Sequence, residues 1–206
     1  MTRGLVAAVL ALAFAAPVAS APPTIAIGAS PREVQAFMVF QVSGGVTGGQ
    51  AGDSVILEAK ECGSVTPFHQ VGGDQISAGG TWVVTQVGIG ATSELRARWR
   101  GGVSDPITVQ VHPFMTLTRS GPGRYFVWVR AYDFFDGRRA VLERASGSTW
   151  VRVRTFTLHR RSSSGAASST ARFRARVKRG TLLRAVLPKS QAGRCYLAGF
   201  TNTLKV

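Results

Sequence analysis

Residues 172–177 read Arg, Phe, Arg, Ala, Arg, Val. A period of two sends successive side chains to opposite faces of a strand. The segment therefore puts Arg172, Arg174 and Arg176 on one side and Phe173, Ala175 and Val177 on the other, the mark of a half-buried strand. No stretch of the chain holds a helical period long enough to bury a face, whereas short apolar or alternating runs recur throughout, broken by Gly pairs and Pro. Strands are expected near 24–28, 37–43, 54–61, 67–71, 81–87, 93–100 and 106–111, and again near 115–119, 125–132, 139–145, 150–158, 170–177, 181–187, 196–199 and 203–206. Seven or so short strands per ninety residues, with turn signals every 8–12, is a sandwich pattern. The expected fold class is all-β.

The first residues suggest export. Arg3 precedes an apolar run over residues 5–16, Pro17 breaks it, and Ala19-Ser20-Ala21 follows, so a signal peptide over 1–21 with cleavage after Ala21 is expected. The run is too short for a ~30 Å hydrocarbon layer, and no later segment approaches the ~20 apolar residues a crossing helix needs. No Cys follows the run to take a lipid, since the first is Cys62, and Leu187-Pro188-Lys189-Ser190 matches only the first half of a sortase signal. The expected location is secreted, extracellular or envelope-associated, without a transmembrane helix.

Charge divides the chain unevenly. Residues 22–112 carry five Lys and Arg against seven Asp and Glu, and residues 113–206 carry nineteen against three, a net −2 beside a net +16. One-sided charge of this size points to an anionic partner.

The two halves also resemble each other. Residues 52–59 (Gly-Asp-Ser-Val-Ile-Leu-Glu-Ala) lie over 137–144 (Gly-Arg-Arg-Ala-Val-Leu-Glu-Arg), 93–97 over 181–185 through a shared Leu-Arg-Ala, and 108–111 over 203–206, at offsets of 85, 88 and 95. Three blocks in one order with slowly drifting offsets are what a duplication with loop insertions produces. Expected boundaries are 22–112 for the first domain and 113–206 for the basic second domain. The strand order, the Leu-Glu and Leu-Arg-Ala blocks and the tandem arrangement resemble the bacterial immunoglobulin-like, fibronectin-type repeats of exported proteins. That resemblance implies two tandem β-sandwiches serving adhesion, spacing or carbohydrate contact, and fold of this kind does not fix function. It also implies that the turn holding Cys62 and the turn holding Cys195 both face the junction of the two units. A bridge between them is then geometrically open, beside a free buried thiol or an intermolecular bond.

Little in the chain suggests chemistry. His69, His112 and His159 are scattered and neither Cys has a His at metal-ligand spacing, so no metal or other cofactor is expected. Asp133 and Asp136 flank Phe134-Phe135, but Asp136-Gly137 reads as a turn rather than half of a hydrolytic pair. Residues 162–169 form a polar Ser-rich loop without a nucleophile motif. No catalytic residue is assigned and no enzyme is expected. Trp82, Trp99 and Trp128 read as core or half-core, while Trp150, beside Arg152, is the candidate exposed ring.

The basic residues are the candidate site. Arg152 and Arg154 alternate on one expected strand and Arg160 and Arg161 follow it; Arg172, Arg174 and Arg176 alternate on another, with Lys178 and Arg179 beyond. If the two strands pair, their outward side chains form one guanidinium surface suited to planar anions. The expected partners are anionic polymers of the envelope or matrix, with nucleic acid bound only non-specifically. The competing reading is a passive spacer or cell-surface structural protein whose charge is incidental.

Overall fold

A computed structural model describes residues 24–161 and 166–206; the expected signal at 1–21 and residues 162–165 of the Ser-rich loop lie outside the described residues. Nearly all of its regular structure is strand. The first half holds β1 (Ile25–Ser30), β2 (Glu33–Gln35), β3 (Val39–Val46), β4 (Ser54–Glu61), β5 (His69–Gln75), β6 (Thr81–Gly88), β7 (Ser93–Trp99), β8 (Gly102–Val103) and β9 (Ile107–His112). The second holds β10 (Phe114–Gly121), β11 (Arg124–Ala131), β12 (Arg139–Ser146), β13 (Thr149–Thr157), β14 (His159–Arg161), β15 (Ala167–Arg174), β16 (Leu182–Leu187), the one-turn helix α1 (Lys189–Ala192), β17 (Gly199–Phe200) and β18 (Leu204–Lys205). Among the described residues no helix is long and apolar enough to cross a membrane.

Four sheets result, and none joins the two halves. In the first half β1-β3-β6 stands apart from β2-β9-β7-β4-β5; in the second, β10-β11-β15-β14 stands apart from β13-β12-β16-β17, with β18 also on β16. One local order recurs: β4 lies between β5 and β7, as β12 lies between β13 and β16.

The likeness extends to single hydrogen bonds. Glu58 lies opposite Arg96 and Glu143 opposite Arg184 in register. In both pairs the arginine Nε donates to the carboxylate at 2.8 Å. Both guanidinium groups also lie over an aromatic ring, Arg96 on Phe68 at 4.0 Å and Arg184 on Trp150 at 4.2 Å. A β-bulge interrupts β4/β5 between Leu57 and Glu58 and β12/β13 between Leu142 and Glu143. The Ser104 hydroxyl accepts from the Ala97 N–H at 2.9 Å, as Thr201 does from Ala185 at 2.8 Å. Gly52 and Gly137 each donate an N–H at 2.9 Å, to the carbonyls of Ile76 and Leu158. Residues that align between the halves therefore do the same structural work.

Each half buries one face of each sheet. Val55, Leu57, Ala59, Leu95 and Ala97 in the first half, and Ala140, Leu142, Leu183 and Ala185 in the second, are at most 1% exposed. Trp82, the largest of the fully buried side chains, fits only because Gly44 faces it: a Cβ there would lie 1.9 Å from the Ala26 carbonyl oxygen and 2.6 Å from the indole.

The halves meet through a bridge and a set of backbone bonds. Cys62 and Cys195 form a disulfide with Cα atoms 5.4 Å apart, inside the ordinary range. Around it the Thr92 N–H donates to Cys195 O at 3.1 Å, Leu197 N–H to Val111 O at 2.8 Å and Tyr132 N–H to Gly90 O at 3.0 Å. Tyr196 packs edge-on against Phe135, with centroids 5.3 Å apart, and its hydroxyl donates to Asp133 Oδ2 at 3.1 Å while accepting the Asp133 N–H at 3.0 Å. Burial, with the Asp133 carboxylate beside it, raises the Tyr196 phenol well above its ordinary value.

Asp53 is a second electrostatic anchor. The Gln50 N–H on its carboxylate (3.0 Å), then Arg100 and the Trp99 Nε1–H, hold its carboxyl below the ordinary value near 3.8. A carboxyl depressed in the folded state stabilises above its unfolded value and loses that contribution as pH falls through its own. Stability should therefore fall as the solution is acidified below pH 3.8, and Asp53→Asn should lose less over that window than the native chain. Chemical denaturation at pH 5 and pH 3 checks this; parallel losses would contradict it.

Candidate anion-binding surface

On β15 the alternation holds: Arg172 and Arg174 are exposed while Ala171 and Phe173 are buried, and beyond the strand Arg176 is exposed and Ala175 buried. Phe173 stacks on Phe156 at 4.3 Å, which commits that face to the core and the arginines to solvent.

The expected single guanidinium surface is not formed. β13 and β15 do not pair; they belong to different sheets, β13 at the edge beside β12, and β15 between β11 and β14. Nor do Arg152 and Arg154 share a face. The bulge sets Arg152 opposite Glu143 and Arg154 opposite Leu142, whose side chain is fully buried. Directly opposed residues project to one side of a sheet. Arg152 therefore stands with the outward row of Glu143, and Arg154 turns toward the other sheet, where its Nη1 donates to the Arg174 carbonyl. The corresponding bulge position in the first half is Gly72, across from Leu57, with Val84 close above it.

The nine predicted residues fall into smaller groups. Arg154, Arg174 and Arg176 line an open depression of about 660 Å³ with Pro122 and Gly123. Arg161, Arg172 and Arg174 line a second, of about 680 Å³, together with Arg124. Arg160 is drawn aside, its guanidinium 3.9 Å from the Phe134 ring and its N–H donating to Asp136 Oδ1 at 2.9 Å. Lys178 and Arg179 are exposed after β15. Among the described residues none of the nine forms an ion pair, whereas in the first half Arg96 and Arg98 meet Glu58 and Arg100 meets Asp53.

The sequence reading missed four residues of this surface. β11 alternates as β15 does: Tyr125, Val127, Val129 and Ala131 are buried, and Arg124, Phe126, Trp128 and Arg130 face outward. Arg124 lies opposite Arg174, Phe126 opposite Arg172 and Trp128 opposite Thr170. The period-two signal was present in residues 124–130, but Trp128 read as core or half-core and Arg124, Phe126 and Arg130 were given no role.

The other candidates hold structural posts. Asp133 binds Tyr196 and Asp136 binds the Arg160 N–H. Trp82 and Trp99 are buried, while Trp150 lies half-buried under Arg184. Among the described residues no group of three or more His, Cys, Asp or Glu is placed to hold a metal ion.

No protein-family model and no curated protein matches the chain. Among solved structures the chain is similar to a tetra-tandem repeat in the extending region of a large adhesion protein, at 14% identity and a TM-score of 0.38, over 88% of this chain and 50% of that one. The match thus spans half the length of that structure.

Proposed function

We propose that the chain is an exported, non-enzymatic protein of two tandem immunoglobulin-like β-sandwiches, 22–112 and 113–206, whose second unit contacts anionic polymers of the envelope or matrix. The repeated sheet order and the matching Glu-Arg pairs support two units of one kind. The disulfide supports a location outside the reducing cytoplasm.

One observation carries the binding role. Carboxylates neutralise three arginines of the first half, but among the described residues none meets Arg161, Arg172 or Arg174. Guanidinium groups gathered on a sheet without partners repel one another, and an anion relieves that repulsion while matching their planar donors.

The test is retention on an immobilised polyanion. The native chain should stay bound at about 0.15 M salt, where the Debye length is only ~8 Å. Arg172→Gln with Arg174→Gln should lower affinity about tenfold or more, while Arg144→Gln with Arg194→Gln, an equal loss of charge elsewhere, should cost much less. Equal losses in the two pairs would leave only diffuse attraction and favour the passive spacer.

A further inference from the structure

We propose that the outer face of the β10-β11-β15-β14 sheet is a platform for an anionic polysaccharide of the uronic-acid type, with sugar rings lying on Phe126 and Trp128 and carboxylates held by the flanking arginines. This rests on the anionic-polymer reading and specifies the polymer.

Diffuse attraction requires no aromatic ring, yet β11 presents Arg124, Phe126, Trp128 and Arg130 in one row. The core does not need these rings, because the opposite face of β11 already fills it with Tyr125, Val127 and Val129. Alternate residues of a strand stand ~6.6–6.8 Å apart, a spacing at which consecutive units of a ring-bearing chain can be met by consecutive side chains. Cations lie over the same rings: the Arg172 guanidinium is over Phe126 at 5.7 Å and that of Arg130 over Trp128 at 5.2 Å, so a carboxylate on a sugar that meets either ring meets a guanidinium with it. Hydroxyls flank the rings as well, Thr118 opposite Phe126, and Thr116 and Thr170 opposite Trp128. Ring faces, hydroxyl partners and guanidinium groups together match the apolar faces, hydroxyls and carboxylates of an acidic sugar chain.

The row continues across the junction. Arg130 also lies over Phe37 of the first half, at 5.4 Å. Phe37 holds φ +64°, a conformation a bulky residue adopts only where its surroundings impose it. Gly90 makes room for it: a Cβ there would stand 2.7 Å from the ring. The Cys62–Cys195 bridge keeps the two parts of the row in register.

Three probes at about 0.15 M salt test this with the full chain: oligogalacturonate, linear polyphosphate, and oligothymidylate. Oligogalacturonate should bind tightest. Phe126→Thr, which suits a solvated strand, and Trp128→Phe combined with it, should lower that affinity about tenfold and leave polyphosphate binding within about twofold. Near-ultraviolet circular dichroism of both variants verifies folding. Equal binding of polyphosphate and oligogalacturonate, or no effect of either ring substitution, would overturn the polysaccharide assignment while leaving anion binding intact. Tighter binding of oligothymidylate would overturn it in favour of nucleic acid. Failure of all three to bind would remove the anionic-polymer reading itself.

Discussion

Replacing Cys62 and Cys195 together with Ala should destabilise the protein by about 3–5 kcal/mol and lower its melting temperature by roughly 10 °C. The bridge spans 133 residues of sequence. Closing so long a loop in the unfolded chain removes more conformational freedom than a short loop would. The junction need not separate in the variant, because the Thr92–Cys195, Leu197–Val111 and Tyr132–Gly90 backbone bonds do not depend on the sulfurs. The expected phenotype is thus a folded but less stable molecule with a looser junction. Differential scanning calorimetry of native and double-Ala proteins at one concentration measures it. A shift below about 2 °C would mean that packing and backbone bonds hold the halves together unaided.

The second large effect belongs to a glycine. Gly44→Ala should cost about 3 kcal/mol, the upper part of the range for overpacking a core. The added Cβ would lie 1.9 Å from a backbone carbonyl, and no rotamer relieves a clash with the main chain. Strand β1 or the Trp82 ring would have to move, and Trp82 is 1% exposed in a close-packed interior. Gly28→Ala is the internal control. Its Cβ would meet only the Ser43 oxygen at 4.0 Å, so the change should be neutral or slightly stabilising. Urea denaturation of the two variants separates these outcomes, and equal midpoints would contradict the close approach of Gly44 to β1 and Trp82.

Strand existence was legible because period two survives in a single sequence. The expectation for 54–61 coincides with β4, and 139–145 differs from β12 by one residue. Short elements were not legible: β2, β8, β14 and α1 span two to four residues, too few for any period to show. The segment expected at 196–199 instead contributes only Gly199 to β17, since the Tyr196 ring and hydroxyl are taken up by Phe135 and Asp133 at the junction.

The candidate surface was half legible for a physical reason. Arginine on alternate residues announces a solvated face, and Arg172 and Arg174 were found that way. Trp150, Arg152 and Arg154 carry the same pattern, but a bulge adds a residue to the strand without leaving a sign in the sequence, and it turned the exposed Arg154 toward the other sheet. Strand partners are likewise set by sheet order rather than by local sequence, so β13 and β15 could not be assigned to separate sheets from composition alone. Trp128 was expected as core or half-core and is half-buried, while Phe126 carried no expectation; only the pairing of β11 with β15 places the two rings beside Arg172 and Thr170.

Arginine-selective chemical modification, read by mass spectrometry with and without oligogalacturonate, tests most directly where the polymer sits. Protection should concentrate on Arg124, Arg130, Arg161, Arg172 and Arg174, while Arg144, Arg152 and Arg179 stay reactive. Protection spread evenly over every exposed arginine of the second half, or centred on residues outside the β10-β11-β15-β14 sheet, would contradict the assignment of that face.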